Sequence, residues 1–85
     1  MKFHFSRHVL EEMNKRKIPQ KLVEHTLHAP EQKVPEAEEI TCYQSHVEID
    51  GKTYLLRIMV NEMKKPAVVV TMYRTSKISK YWRTP

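Results

Sequence analysis

The spacing of apolar residues changes twice along this chain, and each change marks an element. Val9, Leu10 and Met13 share a helical stripe, which predicts a helix from about Arg7 to Lys17. Ser6 stands where an N-cap hydroxyl accepts an orphan helix N–H. Ile18-Pro19 stops this helix, and Pro19 suits the first turn of the next. Leu22, Val23, Thr26 and Leu27 form a second stripe, which ends near Ala29-Pro30. Phe3 to Phe5 reads as a very short strand or an extended lead-in. Residues 31–39 are acidic, contain Pro35, and suit a loop or a ragged edge strand.

From Ile40 onward the period falls to that of strands. Ile40 to Ile49 and Lys52 to about Asn61 flank Asp50-Gly51, a strong hairpin-turn signal. With Asp50 and Gly51 as the loop, Ile49 faces Lys52. Val47 then pairs with Tyr54, Ser45 with Leu56, and Tyr43 with Ile58. This more apolar face is expected to meet the helices. The other face carries Gln44 opposite Arg57 and His46 opposite Leu55. A turn near Met63–Pro66 leads to a Val-rich strand, Ala67 to Arg74. Val68, Val70 and Met72 are expected to face the helices, with Thr71 and Tyr73 on Arg57's face. Residues 76–85 form a basic, aromatic tail, helical or extended. The expected fold is α+β: two N-terminal helices packed on one face of a curved antiparallel sheet of three to four strands.

Composition narrows the chemistry. The 85 residues fit one domain, 1–85, and contain a single glycine, Gly51. Gly-rich phosphate loops are therefore excluded, and side chains or helix ends must hold any phosphate. The lone Cys42 forms no internal disulfide and points to a reduced, cytoplasmic setting. No apolar run approaches the ~18 residues of a membrane span, so no membrane is expected as a partner. Met1 to Leu10 is polar and His-rich, unlike a signal peptide. The net charge of +5 hides an asymmetry. Residues 1–30 carry +3, residues 31–50 carry −5, and residues 51–85 carry +7. A basic C-terminal third interleaved with Tyr73, Tyr81 and Trp82 suits a polyanion, because cations neutralise phosphates while aromatic rings stack bases. Solvated surface lysines account for a smaller bias equally well.

Arg57 is the most informative residue. A mid-strand arginine facing away from the helices is costly without an anion, so it reads as a phosphate clamp on an open sheet face. An arginine snorkelling over an exposed sheet is the structural alternative. Tyr73 and Thr71 on the same face can orient a phosphate or exchange a proton, or else are strand formers chosen for packing. His8, early in the first helix, is a titratable acid or base, or simply an exposed histidine. Arg74, Lys77, Lys80 and Tyr81 are nucleic-acid contact candidates, while Trp82 can dock on the core. The His4/His8 and His25/His28 pairs lack the companions of a metal site, so no metal or other cofactor is expected.

Several segments resemble a known family of small bacterial proteins. These are Phe5-Ser6-Arg7-His8, residues 13–18, Leu22-Val23-Glu24 and residues 27–31. The hairpin from Tyr43 through Asp50-Gly51-Lys52 to Leu55-Leu56-Arg57-Ile58 and the strand Val69 to Tyr73 complete the resemblance, over about residues 3–75. The family is a domain of unknown function grouped with BrnT-like and RelE/ParE-like toxins. The resemblance implies a microbial ribonuclease-like fold whose free sheet face is the cleft. RelE-like relatives cleave mRNA, often on the ribosome, and ParE-like relatives poison gyrase. Its recurrent polar positions fall on His8, Arg16, Arg57, Thr71 and Tyr73. The expectation is a toxin of a toxin–antitoxin pair, a metal-independent endoribonuclease using 2′-OH attack on phosphate. Arg57 would stabilise the phosphorane, His8 and Tyr73 would serve as acid and base, and Lys77 and Lys80 would clamp the backbone. RNA and an acidic antitoxin are the expected partners. Arg57→Ala is expected to abolish cleavage with the fold intact. A non-catalytic ParE-like toxin or nucleic-acid-binding module is the alternative.

Overall fold

Why the chain turns where it does is clearest at the first helix. A computed structural model describes residues 2–84. Strand β1 (Phe3–Phe5) leads into helix α1 (Arg7–Lys15), where the Ser6 hydroxyl accepts the Val9 N–H at 3.1 Å. Val9 and Met13, one turn apart, are both buried. The helix ends earlier than its stripe predicts. Lys17 turns left-handed at φ 54°, its N–H bonds the Asn14 carbonyl, and the Ile18 N–H bonds the Met13 carbonyl. This is a Schellman ending with lysine at the position glycine usually takes. It swings Ile18 into the core, where it is 2 % exposed.

Helix α2 (Gln20–His28) follows, burying Val23, Thr26 and Leu27. Strands β2 (Gln32–Ala37), β3 (Ile40–Ile49), β4 (Lys52–Asn61) and β5 (Ala67–Thr75) then build the sheet, and helix α3 (Ile78–Tyr81) closes the chain. The β3–β4 register is the one the Asp50-Gly51 turn predicts, from Ile49 opposite Lys52 to Tyr43 opposite Ile58. Both turn residues have positive φ, at 53° and 76°.

The architecture corrects the sequence expectation in three places. The sheet has five strands in the order β1-β5-β4-β3-β2, and it is mixed, because β1 runs parallel to β5. A three-residue strand paired with a segment more than sixty residues later leaves no local periodicity to read. Of the two forms expected for the acidic stretch, it takes the ragged edge strand, antiparallel to β3, with an irregularity between Pro35 and Ala37. Among the described residues there are three helices rather than two, because the tail forms a one-turn helix.

The main core lies between α1, α2 and one sheet face. Val9, Met13, Val23 and Leu27 meet Tyr43, Val47, Leu56, Ile58 and Val60 there. Burying each such aliphatic side chain is worth about 1.5–3 kcal/mol relative to exposure. In β5 it is Ala67 and Val69, not Val68 and Val70, that join this core. A bulge between the Met59–Thr71 and Val60–Val69 pairs inserts Val70, which is 45 % exposed, and Met72 then returns to the core. A smaller cluster of Val34, Cys42 and Met59, flanked by Ile40 and Tyr73, lies outside that core.

Candidate functional site

The second sheet face gathers the polar residues that the first excludes. Gln32 pairs with Gln44, Gln44 with Arg57, and Arg57 with Tyr73, so one row crosses four strands. Arg57 is 3 % exposed and Gln44 is fully buried. The guanidinium is held on three sides. Its Nε donates to Gln44 Oε1 at 2.9 Å, one terminal nitrogen to the Tyr73 hydroxyl at 2.6 Å, and the other to Glu36 Oε2 at 3.1 Å. The Tyr81 ring covers it at 4.4 Å, and Tyr81 meets Tyr73 edge-on at 6.2 Å. Burial pulls Arg57 toward its neutral form, but the Tyr73 hydroxyl and the nearby carboxylate outweigh it and raise the pKa overall. Burial likewise raises Tyr73 above the ordinary tyrosine value, so its phenol stays protonated at neutral pH. Burial pushes the Cys42 thiol up to about 11, leaving an inert thiol beneath the site.

Where the sequence predicts an open face, the structure has a covered one. Residues after Thr75 fold back over it. Gln44 Nε2 donates to the Tyr81 carbonyl at 3.3 Å, and Trp82 packs on His46 at 4.5 Å. Between this segment and the sheet lies a pocket of about 530 Å³, lined by Glu36, Arg57, Lys80, Tyr81, Trp82, Arg83 and Thr84. Its wall carries Lys80 and Arg83, both exposed, and among the described residues Glu36 is its one carboxylate. That is the arrangement expected for an anionic ligand bearing a group that can be deprotonated or hydrogen-bonded.

The remaining candidates disperse. His8 is 77 % exposed on α1, 3.6 Å from Glu12, and lines a separate pocket with Glu11, Glu12, Lys15 and Arg16. Thr71 pairs with Met59 in the sheet, but its hydroxyl donates to Glu12 Oε1 at 3.1 Å. Glu12 also pairs with Arg16, which reaches the Met72 carbonyl at 2.5 Å and ties α1 to β5. Arg74 lies over the Tyr54 ring at 4.5 Å and donates to the Arg16 carbonyl. Lys77 is exposed at the start of α3. Of the expected set, Arg57, Tyr73, Lys80 and Tyr81 come together.

Glu36, Gln44 and Gln32 are the residues that sequence reasoning missed. Alternation along β2 would have found Glu36, because Gln32, Val34 and Glu36 share a face once the segment is read as a strand. Among the described residues no group of three or more His, Cys, Asp or Glu is placed to hold a metal ion. No helix among them is long and apolar enough to cross a membrane.

Comparison with curated proteins and with solved structures found no match to this chain. A family model does match, over residues 5–74, from the lead-in to α1 through all but the last residue of β5. Arg57, Glu36, Gln44 and Tyr73 lie inside the match, and the cationic wall of the pocket lies beyond it. The chain belongs to the family described as a domain of unknown function, DUF4258.

Proposed function

We propose that this domain acts on RNA as a metal-independent endoribonuclease, in the manner of the toxin of a toxin–antitoxin pair working in the cytoplasm. One observation carries the reading: a carboxylate, Glu36, 3.1 Å from a fixed guanidinium, Arg57, in a pocket walled by Lys80 and Arg83. Glu36 takes the proton of the ribose 2′-OH as that oxygen bonds to phosphorus. Arg57 stabilises the charge that builds on the phosphorane. Tyr73, protonated and against Arg57, donates to the 5′-oxygen as the P–O5′ bond breaks. The products are a 2′,3′-cyclic phosphate and a 5′-hydroxyl. Lys80 and Arg83 hold neighbouring phosphates. His8 lines a different pocket and has no part in the scheme. The grouping with BrnT-like and RelE-like toxins belongs to this proposal, as does an acidic antitoxin segment covering the cationic wall.

The purified protein should cleave RNA equally well with and without a chelator, leaving cyclic phosphate ends. Glu36→Gln should abolish cleavage and preserve RNA binding. A second reading, a non-catalytic nucleic-acid-binding module, is favoured by the near-complete burial of Arg57 and by three of its five N–H donors being engaged. Binding without cleavage in the wild-type protein, with or without ribosomes, selects that reading.

A further inference from the structure

The segment that walls the pocket is held unusually. No backbone strand pairing holds residues 78–84. Two glutamine side chains do so instead. Gln32 grips the Arg83 peptide on both sides, its Nε2 donating to the Arg83 carbonyl at 2.5 Å and its Oε1 accepting the Arg83 N–H at 3.2 Å. The same Oε1 accepts from Gln44 Nε2 at 2.7 Å. Gln44 Nε2 also reaches the Tyr81 carbonyl, while Gln44 Oε1 accepts the Arg57 Nε–H. The bonds therefore run unbroken from the Arg83 backbone through Gln32 and Gln44 to the guanidinium.

An amide has one carbonyl and one NH₂, so its orientation is all-or-none. When the strap leaves, Gln44 Nε2 loses the Tyr81 carbonyl and keeps a Gln32 amide that Arg83 no longer fixes, and Gln44 Oε1 is one of the three groups that hold Arg57. We propose that the Gln32–Gln44 pair is a latch, and that residues 78–84 are a strap whose docking positions Arg57. The inference deepens the nucleic-acid reading above and rests on it for the ligand. Gln32 and Gln44 are positioning residues, acting through Arg57. The strap brings Lys80 and Arg83 to the site, so docking supplies the cationic wall and the aligned guanidinium together. A few hydrogen bonds and two aromatic contacts hold it, so it can release and rebind within the folded state.

Trp82 is the only tryptophan and lies on the strap, so its emission reports docking without a label. Gln32→Ala, at a half-buried edge position, should raise the undocked population roughly tenfold, from two lost bonds. Acrylamide quenching of Trp82 should rise accordingly. The Arg57 Nε–H signal in the NMR spectrum should broaden or exchange faster although Arg57 itself is unchanged. Affinity for an unstructured oligouridylate should fall only in proportion to the docked fraction, by less than about twofold while the docked state still dominates. Gln32→Glu keeps the acceptor and loses the donor, and should lie between Gln32→Ala and wild type. Unchanged Trp82 quenching in Gln32→Ala overturns the latch, as does a released Trp82 with an unaltered Arg57 signal. A wild-type protein that binds no oligouridylate overturns the nucleic-acid reading alone, while the two spectroscopic readouts still decide the latch.

Discussion

Arg57→Ala is the obvious variant for probing the site, and the structure gives it a stability cost that an exposed phosphate clamp would not have. Removing the guanidinium leaves Gln44 Oε1, in a fully buried residue, with only the weak Cys42 Sγ–H donor at 3.8 Å, at about 1–3 kcal/mol. It also removes the cation from under the Tyr81 ring, about 0.5–2 kcal/mol. The ion pair with Glu36 adds about 0–1 kcal/mol, because that carboxylate is 38 % exposed and screened by water. We expect a loss of about 3–4 kcal/mol, which lowers Tm by roughly 12–32 °C in a domain of this size. Urea denaturation followed by far-UV circular dichroism measures it, with a lower midpoint and an unchanged slope. Glu36→Gln, by contrast, should cost about 1 kcal/mol or less. A loss under 1 kcal/mol for Arg57→Ala would refute the view of Arg57 as a buried cross-strand tie. Inactivity of that variant therefore has to be read at a temperature where it is folded, and Glu36→Gln is the cleaner probe of chemistry.

Other outcomes follow from local features. Thr26 is fully buried with its hydroxyl unpaired, so Thr26→Val should stabilise by about 1 kcal/mol in thermal or chemical denaturation. Ser6→Ala removes the α1 cap and should cost about 1 kcal/mol. Lys17→Gly relieves a left-handed lysine at φ 54° and should raise Tm by a few degrees, corresponding to about 0.5–1 kcal/mol. Glu31 is held below its ordinary value of 4.5 by the His46 backbone N–H, and Glu62 by Lys33 and the Tyr43 hydroxyl. Carboxylates with lowered pKa stabilise the fold fully above about 4.5 and lose that contribution as pH falls through their depressed values. Urea midpoints should therefore be flat from pH 7 to about 5 and drop below about 4.5. Glu62→Gln should flatten part of that drop.

The hairpin and Arg57's face were legible because Asp50-Gly51 fixes the β3–β4 register and alternation does the rest. Helix α1 was legible from Val9 and Met13, but its end was not, because Lys17 occupies a left-handed position that residue preferences reserve for glycine. Strand β5 reads Ala67-Val68-Val69-Val70, an apolar run with no alternation, so nothing local told Val69 from Val70 as the inward residue. Tyr73 was nevertheless placed on the correct face, because Met72 anchors the strand after the bulge. Glu36 was hidden in a run of acids that resembles a solvated loop, and only its pairing partners reveal a face. The burial of Arg57 depended on the tail, whose docking runs through side-chain amides that leave no periodicity to read.

The extra residue at Val70 bears on how this chain tolerates changes in length. Ala67 and Val69 contact the helices, and so does Met72, an odd number of residues after either. One uncounted position between them reconciles that parity, and Val70 is that position. Deleting Val70 would leave every remaining β5 side chain on its present face, with a regular ladder to β4. Deleting Val69 or Thr71 instead would restore the same regular ladder, with Val70 taking the vacated place, inward in the first case and outward in the second. For this strand, insertions and deletions are therefore judged by whether they are odd or even, more than by which amino acid is gained or lost.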